Sequence, residues 1–340
     1  MADKLRIAVV GCGSRAQTVH LPYLKKNPRV IIRAICDSDE AKLSWLADRY
    51  HPEVATTDYN EILRDKETDA VVISSPNYLH HPMAVAALDY SKHVLVEMPM
   101  ALDEAHAREL ISHSRNRKRV LAVAHTEHFR PDAILMRQLV ERNEIGQVTY
   151  AKTGWLRSAQ KWSLVGWRRE KLYSGGGAFL TLGVPLLDLS LFILGDREPC
   201  SISGMAFKRD PEMEVEDSAV AQLRFADNTV LTIEVSWIIH ELRDILYFNI
   251  YGTKGAALLA PFEIHKEMFS RLVNVAPALN KKNVYPSSYQ TQANAFVSAA
   301  LKNTKYPVPL EDALLLNRIT DAFYKSVKER KEVSLSSRKR

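Results

Sequence analysis

The chain has 340 residues, of which 46% are hydrophobic and 25% charged, and it carries a formal net charge of +6. That length buries a sizeable core and implies two domains, and the composition excludes a disordered or fibrous chain. The surplus charge suits an anionic cofactor or substrate; its basic runs, Arg115-Asn116-Arg117-Lys118-Arg119 and Arg338-Lys339-Arg340, lack interleaved aromatics, which argues against a nucleic-acid surface.

In chain order, Met1-Ala2-Asp3-Lys4 is no signal peptide, and no apolar run approaches bilayer-spanning length. The reading is therefore cytoplasmic with no membrane partner. Leu5-Arg6-Ile7-Ala8-Val9-Val10 reads as a buried strand running into Gly11-Cys12-Gly13-Ser14-Arg15-Ala16. Two glycines there turn the backbone and leave room for a pyrophosphate, and Ala16 fills the third small position, where helix packs on strand. A helix opening near Arg15 aims free N–H groups at phosphates, and Pro22 should kink or end it early. A second apolar run, Val30-Ile31-Ile32-Arg33-Ala34-Ile35-Cys36, ends in Asp37, placed to accept hydrogen bonds from an adenosine ribose. Asp37, Asp39 and Glu40 repel a 2′-phosphate, so NAD(H) is favoured over NADP(H), although Arg15 and Lys42 are near enough to offset that repulsion. Cys12, Cys36 and Cys200 have no metal-ligand spacing and read as reduced thiols; no metal is expected.

Residues 39–49 and 60–64 read as helices, and Ala70-Val71-Val72-Ile73-Ser74 as a strand. It opens into Ser75-Pro76-Asn77-Tyr78-Leu79-His80 at the strand's carboxyl end, where open α/β sheets bind ligands. Another helix precedes a strand ending at Glu97-Met98-Pro99; Asp103 is placed to cap the next helix, and residues 120–124 close a parallel, doubly wound sheet. The expected division is 1–124 and 125–335. Beyond it the period changes. Residues 132–142 read as helix and 148–156 as strand, and Leu231, Ile233, Val235 and Trp237 alternate with polar residues, the pattern of a half-wet antiparallel strand. Asp227-Asn228 and Gly252-Thr253-Lys254-Gly255 supply hairpin turns, residues 261–288 read as an irregular insertion, and Leu316, Ile319, Phe323 and Val327 form a helical stripe.

The runs Asp69–Ile73, Pro76-Asn77, His80, Lys92–Pro99, His125, Phe129-Arg130-Pro131, Gly166-Trp167-Arg168 and Gly175-Gly176-Gly177 through Asp188 together resemble the Gfo/Idh/MocA oxidoreductase family along nearly the whole chain. The resemblance implies a Rossmann domain followed by an α+β domain with a large, mostly antiparallel sheet. It further implies NAD(P)-dependent chemistry on sugars, inositols or polyols, and a homo-oligomer formed through that sheet. Cofactor contacts are expected from Gly11, Gly13, Ser14, Arg15, Ala16, Asp37, Ser75, Pro76, Asn77, His80, Glu97 and Met98, with His80 orienting a loop. Trp167 and Arg168 are the expected substrate contacts, the arginine gripping a carboxylate or phosphate and the tryptophan being equally readable as core.

In the family, proton handling is shared by a lysine, an aspartate and a histidine, and the matching positions here hold Met98, Thr181 and Pro185. A thioether and a proline exchange no protons, and a threonine hydroxyl is a poor base near neutrality. Substitutes flanking the same segments are His125, His128, Lys161, Lys171 and Tyr173; His125 and Tyr173 are the candidates, with His125 favoured by its place at a strand's carboxyl end, and Asp188 reads as a structural acid. Three readings stay open: an oxidoreductase with an atypical site, a cofactor- or sugar-sensing regulator, and an inactive partner subunit.

Overall fold

The computed structural model describes residues 4–159, 166–278 and 283–335 and divides into two compact units. The first comprises Met1–Thr126 with Tyr285–Asn317, the second Glu127–Val284 with Arg318–Arg340. The late segment Tyr285–Asn317 clusters with the first unit and is held there by polar anchoring. Asn27 Nδ2 donates to Asn294 Oδ1 at 2.9 Å, Arg29 to Ser298 Oγ at 2.7 Å, and Asn317 Nδ2 to the Ala101 carbonyl at 2.7 Å.

The first unit is built on a parallel sheet of β1 (Leu5–Val10), β2 (Val30–Cys36), β3 (Val54–Thr56), β4 (Ala70–Ile73), β5 (His93–Val96) and β6 (Leu121–Val123), ordered β3-β2-β1-β4-β5-β6. β4, β5 and β6 are short apolar runs buried along their whole length, as helix-covered parallel strands must be, while the edge strand β3 is partly exposed. Strand order reverses between β1 and β4, which opens a crevice at their carboxyl ends. The connecting helices are α1 (Leu21–Lys25), α2 (Glu40–Tyr50), α3 (Tyr59–Arg64), α4 (Asn77–Asp89) and α5 (Glu104–Arg117). Asp39 caps α2 by accepting from Lys42 N at 3.0 Å, and Asp103 caps α5 by accepting from His106 N at 2.8 Å. Pro22 does not end the first helix early: residues Ala16–His20 wind as a π turn, and α1 continues past the proline.

The second unit holds α6 (Pro131–Glu141), β7 (Val148–Ser158), α7 (Lys171–Ser174), α8 (Val184–Leu194), β8 (Pro199–Phe207), β9 (Ser218–Phe225), β10 (Val230–Ile239), β11 (Ile245–Gly252), β12 (Gly255–Leu259), β13 (Phe262–Met268) and β14 (Arg271–Asn274). Helices α9 (Val284–Lys302) and α10 (Leu310–Glu329) precede β15 (Val333–Ser334); the sheet order is β14-β13-β12-β11-β7-β10-β9-β8-β15. Every pairing is antiparallel except β7 with β10. Leu231, Ile233, Val235 and Trp237 face inward, each at most 2% exposed, and α8 packs across that face.

Two readings are corrected here. Residues 262–274, within the stretch 261–288 read as an irregular insertion, are regular: β13 and β14 form a hairpin on the sheet edge, turned by Phe269 and Ser270 at φ of 53° and 59°, while residues 279–282 lie outside the described residues. That turn carries no glycine or asparagine, so it gives no local signal. Pro286 falls in the first turn of α9, where its missing N–H costs nothing. A stretch apolar and long enough to cross a bilayer also exists, Lys171–Leu194, but 78% of its apolar window is buried inside the protein. Gly175 at φ 80° and a π turn at Phe179–Gly183 interrupt it, and most of residues 178–194 are buried in the core.

Candidate functional site

The carboxyl edge of the parallel sheet gathers the cofactor candidates of the first unit. Gly11 to Ala16 follow β1, Asp37 follows β2, Ser75 to His80 follow β4, and Glu97 and Met98 follow β5. Gly11 sits at φ 81°, and a Cβ there would lie 2.4 Å from Ser75 N, so only glycine fits between β1 and β4. A Cβ on Gly13 would meet nothing within 4 Å: it would fill the open space over the turn. Asp37 Oδ2 accepts from Cys12 N at 2.7 Å, while Oδ1 accepts from Lys42 Nζ at 2.9 Å. The acid thus braces the glycine turn and lies beside it. Ser75 Oγ, in the wall next to Gly11, is buried with no hydrogen-bond partner among the described residues. An open turn, an acid and an unmet hydroxyl on one edge fit a dinucleotide. The neighbouring thiols are inert, since burial pushes Cys12 up to about 12 and Cys36 to about 11.

Glu97 anchors the next part of the edge. Its Oε1 accepts from Arg15 Nε at 2.9 Å and pairs with His20 Nε2 at 2.7 Å. Burial works to raise this carboxyl, but Arg15 and His20 outweigh it and hold it well below the usual carboxylate range. Arg15 also donates to Thr126 Oγ1 at 3.0 Å and lies 5.2 Å from the Tyr289 ring centroid. His20 was missed by the sequence reading, because 77 residues separate it from its partner. His80 is a brace: its ring nitrogens face the carbonyls of Pro99 (2.7 Å) and Ser75 (2.9 Å), and burial lowers its pKa. Met98 is partly buried against the apolar cluster of the sheet, and Asn77 is buried at the start of α4. His125 lies buried just past β6, its N–H donating to the Val123 carbonyl at 2.8 Å.

In the second unit the glycine triplet is organised by a residue the sequence reading also missed. Glu216 Oε1 accepts from Gly177 N (3.0 Å), Phe179 N (3.1 Å) and Tyr324 Oη (2.9 Å), and burial raises the Glu216 pKa. A Cβ on Gly176 would lie 1.9 Å from Tyr324 Oη, and one on Gly177 equally close to the Glu216 carbonyl. Thr181 has its hydroxyl engaged twice: it donates to the Gly177 carbonyl at 3.0 Å and accepts from Trp237 Nε1 at 2.8 Å. Pro185 stands in the first turn of α8. His128 Nε2 meets Asp188 Oδ1 at 2.9 Å, with its ring stacked on Phe192. Arg130 forks onto Asp132 and also donates to Glu127 Oε2 at 2.6 Å; burial raises the Glu127 carboxyl against that pull. Trp167 is half-buried rather than core, and the exposed Arg168 lies 4.6 Å from its ring centroid. Tyr173 is half-buried on α7, and Lys171 is exposed. Lys161 lies outside the described residues.

Residues 5–125 match the Gfo/Idh/MocA model described as an oxidoreductase family, NAD-binding Rossmann fold, and residues 137–335 match its C-terminal alpha/beta domain. Among curated proteins the chain is similar to D-glucoside 3-dehydrogenase of Escherichia coli K12, at 24% identity over 98% of each chain. It is also similar to levoglucosan dehydrogenase of Pseudarthrobacter phenanthrenivorans, at 23% identity over 75% of this chain and 73% of that one. Among solved structures, levoglucosan dehydrogenase in complex with NADH and L-sorbose superposes with a TM-score of 0.88 at 20% identity, covering 98% and 99% of the two chains. GenD2 from gentamicin A biosynthesis, in complex with NAD, superposes at 0.86 with 27% identity, covering 99% and 97%.

Proposed function

The chain belongs to the Gfo/Idh/MocA oxidoreductase family, and from that premise we propose that it binds NAD(H) in preference to NADP(H) and acts on a sugar, polyol or related hydroxy compound. The observation that carries the reading is the edge where the open turn over Gly13, the Asp37 carboxylate and the unpartnered Ser75 hydroxyl meet. Gly11, Gly13 and Ser14 to Ala16 take the pyrophosphate, Asp37 the ribose, and Ser75 to His80 with Glu97 and Met98 the nicotinamide half. Preference for NAD(H) follows from charge. Lys42 is bonded to Asp37 and Arg15 to Glu97, so both nearby cations are already committed, and Asp39 and Glu40 repel a 2′-phosphate. Carbohydrate substrates are supported by the sugar dehydrogenases among the relatives. Trp167 and Arg168 form the substrate contact, the guanidinium offering a fork to an acidic sugar.

A bound nicotinamide supplies or accepts a hydride; the proton belongs to the protein. With Met98, Thr181 and Pro185 at the family's positions, that proton falls to His125 or Tyr173. The Thr181 hydroxyl, fixed between Trp237 and the Gly177 carbonyl, favours a second reading: a silent cofactor- or sugar-sensing protein, or an inactive partner subunit. In either reading the chain is a cytoplasmic homo-oligomer joined through the outer face of the large sheet. Fluorescence titration with NADH and NADPH tests binding; no saturation by either nucleotide refutes the proposal. Screening polyols, uronates and nucleotide sugars for NAD reduction then separates the readings, and turnover abolished by His125→Ala assigns the proton to His125.

A further inference from the structure

Helices α4 and α5 lie side by side in the first unit, and their outer faces bring together side chains that the cofactor edge does not use. His106 and Glu109 are three residues apart on α5 and share a face, and His81 approaches from α4. One ligand atom from each of the three lies within 4.8 Å of the others. His81 Nε2 is buried and 3.3 Å from Glu109 Oε2, yet makes no hydrogen bond of good geometry among the described residues. The His81 and His106 ring centroids stand 4.6 Å apart. Asp103 Oδ2 meets His106 Nδ1 at 2.7 Å while its other oxygen caps the helix. A carboxylate behind a histidine in this way keeps the proton on Nδ1 and leaves Nε2 as the acceptor nitrogen, the usual arrangement behind a metal-ligating imidazole.

We infer that His81, His106 and Glu109 form a binding site for a divalent transition metal of the zinc class. Two imidazoles and one carboxylate are ligands that zinc accepts, and the exposed side leaves the fourth tetrahedral position to water. Tetrahedral ligation at about 2.0–2.1 Å sets ligand atoms about 3.3 Å apart, so the exposed His106 and Glu109 close inward by at most about 1.5 Å through side-chain rotation. No backbone movement is needed. The ion clasps two helices on the same layer of the Rossmann unit. Its role is structural, separate from hydride chemistry.

The test is isothermal titration of the full-length, chelator-treated chain with zinc chloride under reducing conditions. One equivalent binds saturably; His81→Ala with His106→Ala weakens affinity at least about 100-fold, and Asp103→Asn, which keeps the helix cap, weakens it about 10- to 100-fold. Cobalt(II) as the probe gives visible d–d absorption without a thiolate charge-transfer band, which separates this site from Cys12, Cys36 and Cys200. Circular dichroism confirms that the variants fold, since these side chains are not core. Unchanged affinity in the double variant, a thiolate band, or no saturable binding overturns the inference.

Discussion

Replacing Glu97 by glutamine tests the organisation of the cofactor edge most directly. The substitution keeps size and one acceptor oxygen but removes the charge that Arg15 (2.9 Å) and His20 (2.7 Å) share. Breaking a buried pair costs about 3–5 kcal/mol, because the remaining charge stays desolvated and unmatched. Glu97 is only 13% exposed, but the Arg15 side chain is 37% exposed and water screens its part, so the expected loss is about 2–3 kcal/mol. Its pH dependence has a definite sign. The folded pKa lies below the ordinary 4.5, so the contribution is fully present above pH 4.5 and is lost as pH falls towards the folded value. Urea unfolding followed by circular dichroism at a series of pH values reads both. Wild type and Glu97→Gln differ most near neutrality and converge in acid. Equal midpoints at neutral pH, or a gap that widens as pH falls, would refute the reasoning.

Gly13→Ala leaves stability within about 0.5 kcal/mol, since its Cβ meets nothing within 4 Å, yet weakens NADH binding at least tenfold in a fluorescence titration. Gly177→Ala does the opposite: its Cβ would lie 1.9 Å from the Glu216 carbonyl, and the thermal midpoint falls by the equivalent of about 1–3 kcal/mol. Trp237→Phe removes the donor to Thr181 at 2.8 Å and costs about 1–2 kcal/mol in urea unfolding, leaving NADH affinity unchanged.

What the sequence made legible is what is chemically local. The β-branched runs of β1, β2, β4 and β5, the glycine turn and the Asp103 cap are each dictated within a few residues, and all are present. The alternation of Leu231 to Trp237 and the turns at Asp227-Asn228 and Gly252 to Gly255 are equally local. What stayed hidden depends on partners distant in the chain. Nothing near Glu216 announces that it holds Gly177 and Phe179, and nothing near His20 announces Glu97. The return of α9 to the first unit rests on hydrogen bonds from Asn27 and Arg29, about 270 residues earlier.

Pro22 and Pro185 carry the argument further, because the chain treats them alike. Each stands two residues beyond a π turn, Ala16–His20 in one case and Phe179–Gly183 in the other. Each is preceded at four residues by a threonine whose hydroxyl donates to its own earlier carbonyl: Thr18 to Ser14 at 2.8 Å, and Thr181 to Gly177 at 3.0 Å. A proline lacks the N–H that the carbonyl four residues back would accept, and its ring crowds that carbonyl. Widening the turn to i→i−5 bonding, as Val184 N to the Phe179 carbonyl shows, relieves the crowding. Thr181 and Pro185 are thus parts of one helix-winding device. On the silent reading, changing either alone leaves the winding or the Trp237 bond in place, so Met98→Lys, Thr181→Asp and Pro185→His each gain no turnover singly. Thr181→Asp with Pro185→His is then the smallest change that frees the helix, and adding Met98→Lys to it gives NAD-dependent turnover on a sugar panel. Turnover restored by Met98→Lys alone would show that the winding is irrelevant to the chemistry.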